Sequence, residues 1–177
     1  LDVVRLAESI RQLVVANESL RTTFPVTDGE PFQEVHSDMI EPVAIVEYED
    51  ADDLTIEQRI KALTIEDTKF HFDLEHGPLF KARIIDFGHQ EYALFINMHH
   101  MINDHISIDL MLRQILQSYR AAEAGLPNTI NKPALQYVDF ALWQTDPLAQ
   151  SLLEEQLTYW QRKLKHVEPL DLPYDTQ

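Results

Sequence analysis

The chain has 177 residues, with 14 Lys+Arg against 30 Asp+Glu, a formal net charge of −16 and no cysteine. So negative a chain excludes DNA or an anionic membrane as the main partner. The lack of thiols excludes a disulfide framework, thiolate catalysis and any Cys-ligated zinc or iron–sulfur site.

From Asp2 to about Ser19, Leu6, Ile10, Leu13 and Val14 share one face of an amphipathic helix. Leu20 to Val26 reads as a strand, Asp28-Gly29 as a turn, and Phe32–Val35 as a returning strand. Pro42 to Tyr48 is β-branched and extended. Asp52 and Asp53 then offer caps for a helix from about Leu54 to Lys69, with Ile56, Ile60, Leu63 and Thr64 facing inward. Leu79–Phe87 and Tyr92–Met98, separated by Gly88-His89-Gln90, form a hairpin signature. Both faces of the second segment are apolar, which predicts a central, buried strand. A helix from about Ile106 to Glu123 follows and ends at Gly125 and Pro127. Tyr137–Trp143 and Leu148–Lys165 read as two further helices, with Trp143 and Trp160 in core or interface positions. His36, His71, His76, His89 and His166 read as surface or loop residues. The tail Pro169-Leu170-Asp171-Leu172-Pro173 has the proline punctuation of a linker. Hairpin strands with separate helices predict an α+β architecture. Leu1 already lies in helix-like sequence, and no apolar run approaches the ~18 residues of a membrane span. The expectation is a cytoplasmic protein cut from something longer.

The chemistry concentrates in Met98-His99-His100-Met101-Ile102-Asn103-Asp104-His105-Ile106-Ser107. A neutral imidazole is the side chain best matched to proton transfer near neutral pH, and a nearby carboxylate orients a ring or holds a loop. His99, His100, Asp104 and His105 are also a potential set of metal ligands. However, adjacent histidines at a strand end point to opposite sides, so one ion would need a sharp backbone turn. The third reading is structural: two histidines satisfied by backbone groups in a tight loop. Spacing alone leaves all three open.

The same stretch resembles the His-His-x-x-x-Asp-Gly signature of the condensation domains of nonribosomal peptide synthetases, within the wider chloramphenicol-acetyltransferase-like superfamily. Other segments are similar to that family's and occur in its order. Asn17-Glu18-Ser19-Leu20-Arg21-Thr22-Thr23-Phe24 is similar to its "HE-x-LRT-x-F" segment. Phe72-Asp73-Leu74 with Gly77-Pro78-Leu79-Phe80 is similar to "F-D-L…G-P-L-F/L". Tyr137-Val138-Asp139-Phe140-Ala141-Leu142-Trp143 is similar to "Y-x-D-F-A-x-W". Tyr159-Trp160 with Leu170-Asp171-Leu172-Pro173-Tyr174-Asp175 is similar to "Y-W…L-x-L-P-x-D".

The resemblance implies a chloramphenicol-acetyltransferase-like α/β sandwich lobe, a mixed sheet with helices packed on it. Residues 1–168 would be the N-terminal lobe, without its first segment, and residues 169–177 the start of a linker to a C-terminal lobe. It implies amide bond formation between a carrier-bound acyl or peptidyl donor and a carrier-bound aminoacyl acceptor. His100 would be the base or positioner of the attacking amine. His99 and Asp104 would be structural, with Asp104 paired to Arg21, and Ser107 would stand at an N-cap of the following helix. No cofactor or metal would be bound, because the substrates ride on phosphopantetheine arms of donor and acceptor carrier protein domains. The C-terminal lobe and adjacent synthetase modules complete the expected partners, and the isolated lobe would be inactive. Epimerisation or ester formation would use the same histidine. The motif's glycine is replaced by His105, which would narrow the acceptor channel or add a titratable group. This departure also motivates a non-catalytic, carrier-docking platform.

Overall fold

A computed structural model describes residues 1–37, 41–47 and 54–168. The expected caps Asp52 and Asp53, Tyr48 at the end of an expected strand, and the linker 169–177 lie outside the described residues. The chain divides into two compact units, Leu1–Tyr137 and a second from Val138 onward.

Helix α1 runs from Val3 to Ala16, and the Asp2 carboxylate caps it by accepting from the Arg5 amide at 2.9 Å. Leu6, Ile10, Leu13 and Val14 line its buried face as the spacing predicts. Its far end is closed by the Asn17 side-chain amide, which donates to the Leu13 carbonyl at 2.8 Å. A 3-10 turn, Glu18–Arg21, leads into β1 (Thr22–Thr23). The single strand expected over Leu20–Val26 is broken: β2 (Val26–Thr27) pairs instead with β3 (Glu30–Pro31), while β1 pairs with β4 (Glu34–Val35). Pro25 lies between β1 and β2, and its ring nitrogen has no proton to continue a ladder. Asp28 and Gly29, both at positive φ, make the turn the sequence predicts.

The principal sheet has the order β5-β6-β7, formed by Val43–Glu47, Phe80–Asp86 and Tyr92–Met98. Strand β5 runs parallel to β6, and β6 antiparallel to β7, so the sheet is mixed. Phe80, Ala82 and Ile84 of β6 are buried against the core with α1 and with α3 (His105–Glu123), whose Met111, Ile115 and Tyr119 are also buried. Complete burial of side chains such as Ile10, Leu13 and Phe80 stabilises the fold by roughly 1.5–3 kcal/mol each. The Tyr119 hydroxyl accepts from the Asp2 amide at 2.9 Å and ties the start of α1 to α3.

The expectation that Tyr92–Met98 is central is corrected. Among the described residues β6 is the central strand and β7 an edge, with Leu94 exposed. Two apolar faces report contact on both sides of a strand, not hydrogen-bonded neighbours on both edges.

Helix α2 (Ile56–Thr68) crosses between the parallel strands β5 and β6. It starts at a reciprocal capping box, in which Thr55 accepts from the Gln58 amide and Gln58 from the Thr55 amide. Ile56, Ile60 and Leu63 are half-buried, whereas Thr64, expected inward, is exposed. Its end is held to the sheet by Asp67, which pairs with Arg83 at 2.5 Å and accepts from Asn97 through its carbonyl at 3.1 Å.

In the second unit, after the boundary helix α4 (Tyr137–Gln144), α5 runs from Pro147 to Leu164. Asp146 caps it and proline occupies its first position. Trp143 and Trp160, expected in core or interface positions, are 55% and 53% exposed. No helix among the described residues is long and apolar enough to cross a membrane.

Candidate functional site

The β6–β7 hairpin delivers the paired histidines. Phe80 is in register with Met98, and the next amide, His99, donates to the Leu79 carbonyl at 2.9 Å. The backbone then leaves the sheet in a 3-10 turn, His100–Ile102, anchored by the buried Ile102. The His99 carbonyl closes this turn, accepting from the Ile102 amide at 3.2 Å and from the Asn103 side chain at 2.9 Å.

The two imidazoles have separate surroundings. His99 is half-buried. Its Nδ1 accepts from the Met101 amide at 3.2 Å, and its ring stands edge-on to Phe72 with centroids 5.9 Å apart. An accepting Nδ1 places the proton of the neutral ring on Nε2. His100 is exposed, and its ring has no side-chain partner among the described residues. It lines a cleft of about 480 Å³ together with Met101, Asn103, Asp104 and Ser107. Ser19, Thr22, Phe24 and Gln33 contribute lining from the β1 side, and Tyr137 closes the set.

The carboxylate expected to pair with Arg21 does something else. Asp104 is the N-cap of α3, and its Oδ1 accepts from the Ser107 amide at 2.7 Å and the Ser107 hydroxyl at 2.6 Å. These bonds, the hydroxyl's first, hold the Asp104 carboxyl below the usual carboxylate value. Ser107 is therefore not the cap itself: it stands at the third helical position, where its two donors satisfy the cap. A local carboxylate, three residues away and at the positive end of the helix dipole, is the better acceptor there.

Arg21 points elsewhere. Its Nη1 donates to the His36 carbonyl at 2.5 Å, and its Nη2 lies 3.9 Å from Glu18. His105 is the first residue of α3 and is exposed, outside the cleft lining. His99, His100, Asp104 and His105 thus do not converge. Among the described residues no group of three or more His, Asp or Glu side chains comes together as metal ligands.

Ser19, Thr22, Phe24 and Tyr137 belong to motif-like segments, but nothing in those motifs marks them as cleft-lining. Gln33 carries no local signal, because only the β1–β4 pairing brings its segment beside the site. His36, expected at the surface or in a loop, is half-buried, and its Nε2 lies 2.7 Å from Thr23 Oγ1. His76 is exposed and pairs with Asp73 at 2.9 Å, which raises the imidazole above its ordinary value and lowers Asp73.

The model of the condensation domain family matches residues 1–177. A linear gramicidin synthase of Brevibacillus parabrevis is 38% identical over 176 residues, covering 99% of this chain and 2% of that protein. The structure described as the complex of the X-domain and OxyB from teicoplanin biosynthesis is similar with a TM-score of 0.83 and 25% identity, covering 100% of this chain and 38% of that one. The epimerization domain from the third module of tyrocidine synthetase B matches with a TM-score of 0.81, at 21% identity, over 99% of this chain and 39% of that one. The chain therefore spans a small part of the curated relative and under half of the solved structures. With the family match running from the first residue to the last, across the paired histidines and the capped helix behind them, this chain belongs to the condensation-domain family of nonribosomal peptide synthetases.

Proposed function

We infer that residues 1–168 are the N-terminal lobe of a condensation domain and residues 169–177 the start of the linker to its C-terminal lobe. The joined domain forms an amide between two carrier-bound groups. The donor is an acyl or peptidyl thioester and the acceptor an aminoacyl thioester. Each rides on the phosphopantetheine arm of a partner carrier protein domain, so the lobe itself needs neither cofactor nor metal. The acceptor amine attacks the donor carbonyl carbon. A C–N bond forms, the C–S bond breaks, the amine gives up a proton and the leaving thiolate takes one. His100 accepts or steers that proton. His99, Asp104 and Arg21 are positioning residues: the first two fix the turn and helix start around His100, and Arg21 holds the strand segment opposite. The setting is a cytoplasmic synthetase with adjacent modules, and residues 1–177 alone are inactive.

The observation that carries this reading is the placement of His100, an exposed imidazole free of side-chain partners among the described residues, on the wall of a cleft just before a capped helix. The test is product formation between two loaded carrier proteins by the full-length polypeptide. His100→Ala should lower it by about 10²- to 10⁴-fold, and unchanged turnover would remove His100 from the mechanism.

A second reading, a platform that docks carriers or recruits another enzyme, is favoured by the likeness to the X-domain in its complex with OxyB and by His105 in the place of the motif's glycine. A platform would keep full partner affinity in the His100→Ala protein and would show no turnover in the parent.

A further inference from the structure

We propose that Gln33 is a substrate-binding residue, whose carboxamide pairs with a secondary amide of the thioester substrate that reaches His100. This role rests on the reading of the cleft as the place of thioester chemistry. It adds to that reading a group that holds the substrate.

Gln33 lies between β3 and β4, and the backbone on either side of it is pinned. The Phe32 amide donates to the Pro25 carbonyl at 3.1 Å, and Glu34 is in register with Thr23. The facing segment is tied in turn, because the Phe24 amide donates to the Leu74 carbonyl at 2.7 Å. Phe32 is exposed, whereas Gln33 is half-buried and lines the His100 cleft from the β1 side. A side chain carried on a fixed backbone is already placed for a ligand. The carboxamide itself makes no hydrogen bond among the described residues. Drawn partly out of water and left unmatched, it gains from a ligand that restores those bonds.

The chemistry of the wall narrows the ligand. A carboxamide is uncharged and presents a donor nitrogen beside an acceptor oxygen. Its complement is another amide, whose carbonyl accepts from the nitrogen or whose N–H donates to the oxygen. No Lys or Arg lines the cleft, and Asp104 Oδ1 is taken by the Ser107 amide and hydroxyl. A neutral amide is therefore matched there without a countercharge. The volume of about 480 Å³ is that of a small-molecule site. Thioester substrates offer secondary amides from two sources, the pantetheine arm and the backbone of a peptidyl group.

The experiment uses the full-length polypeptide that carries residues 1–177, with unreactive thioether analogues of peptidyl pantetheine as probes. In one pair of analogues the pantetheine amide nearest the sulfur is kept or replaced by an ester. In the other pair the same exchange is made in the peptidyl backbone. By titration calorimetry, one ester analogue should bind the parent about 2- to 10-fold more weakly than its amide. Gln33→Met, unbranched and of similar length, should bind both members of that pair alike. The pair that shows this coupling names the source of the amide. Equal losses in parent and variant for both pairs overturn the proposal, as does a parent that binds none of the analogues. If Gln33→Met does not fold, Gln33→Ala takes its place in the cycle. Binding is read without turnover, so the two readings fail separately. Coupling at Gln33 with unchanged turnover in His100→Ala strikes the catalytic role of His100 alone. Lost turnover in His100→Ala with no coupling strikes the role of Gln33 alone.

Discussion

Asp104 and Ser107 are joined by two hydrogen bonds to one carboxylate oxygen, 2.7 Å from the Ser107 amide and 2.6 Å from its hydroxyl. This pair begins the 19-residue helix that follows the histidine turn, and it makes the start of that helix dependent on acid. Because the bonds lower the Asp104 carboxyl, their stabilisation is complete above the usual carboxylate range. It is lost as pH falls through the lowered value. Urea midpoints measured across acid pH should decline more steeply in the parent than in Asp104→Ala, whose curve starts lower. Superimposable curves would show that the cap carries no linkage.

Activity and stability should separate at His100. Its ring is exposed and free of side-chain partners among the described residues, so His100→Ala should change unfolding free energy by no more than about 0.5 kcal/mol. Removal of a general base lowers turnover by about 10²- to 10⁴-fold. Thermal unfolding beside a carrier-to-carrier transfer assay checks both.

The loop before β6 is fitted closely to β1. Gly77 has φ +66, and a Cβ there would lie 2.9 Å from Thr23 Cγ2. Gly77→Ala should therefore lose the ~1–2 kcal/mol of a left-handed non-glycine residue plus the overlap. Thr23→Ser in the same chain removes the methyl group and should recover only the overlap. Denaturant unfolding of the single and double variants reads the two contributions apart.

At the surface, Asp73 and His76 titrate as partners. The raised imidazole contributes stability below its ordinary value, and this is lost as pH rises through the raised one. The lowered carboxyl contributes above its ordinary value, and this is lost in acid. The pair is thus effective between the two. NMR titration should find the His76 midpoint shifted down in Asp73→Asn, with the other histidines unmoved.

Much of the architecture is legible locally. The apolar spacing in α1, the Asp28-Gly29 turn and the Gly88-His89-Gln90 loop each specify their element over a few residues, and the structure holds them. The spacing in α3 also predicts Leu112 and Leu116 inward with Met111, Ile115 and Tyr119, but those two are exposed. The ordered motif segments identify the family. Expectation and structure part where a distant or competing partner decides. Asp104 has a plausible long-range arginine, but Ser107 lies one helical turn away and takes the carboxylate. Strand β7 reads as central because its composition is apolar on both faces, and composition does not report which edge is paired. Gln33 enters the cleft through the β1–β4 ladder, a contact that no local pattern encodes.

The pairing of Phe80 with Met98 has a last consequence. Alternation along β7 turns His99 toward Phe72, and the 3-10 turn that follows leaves His100 to the cleft. Slipping this ladder by one residue would turn His99 away from Phe72, because every side chain on a strand changes face with such a slip. The residue count of the turn at Gly88, more than 10 positions upstream in sequence, thereby selects the face that His99 takes. A one-residue deletion there would re-aim His99 without removing any histidine from the sequence.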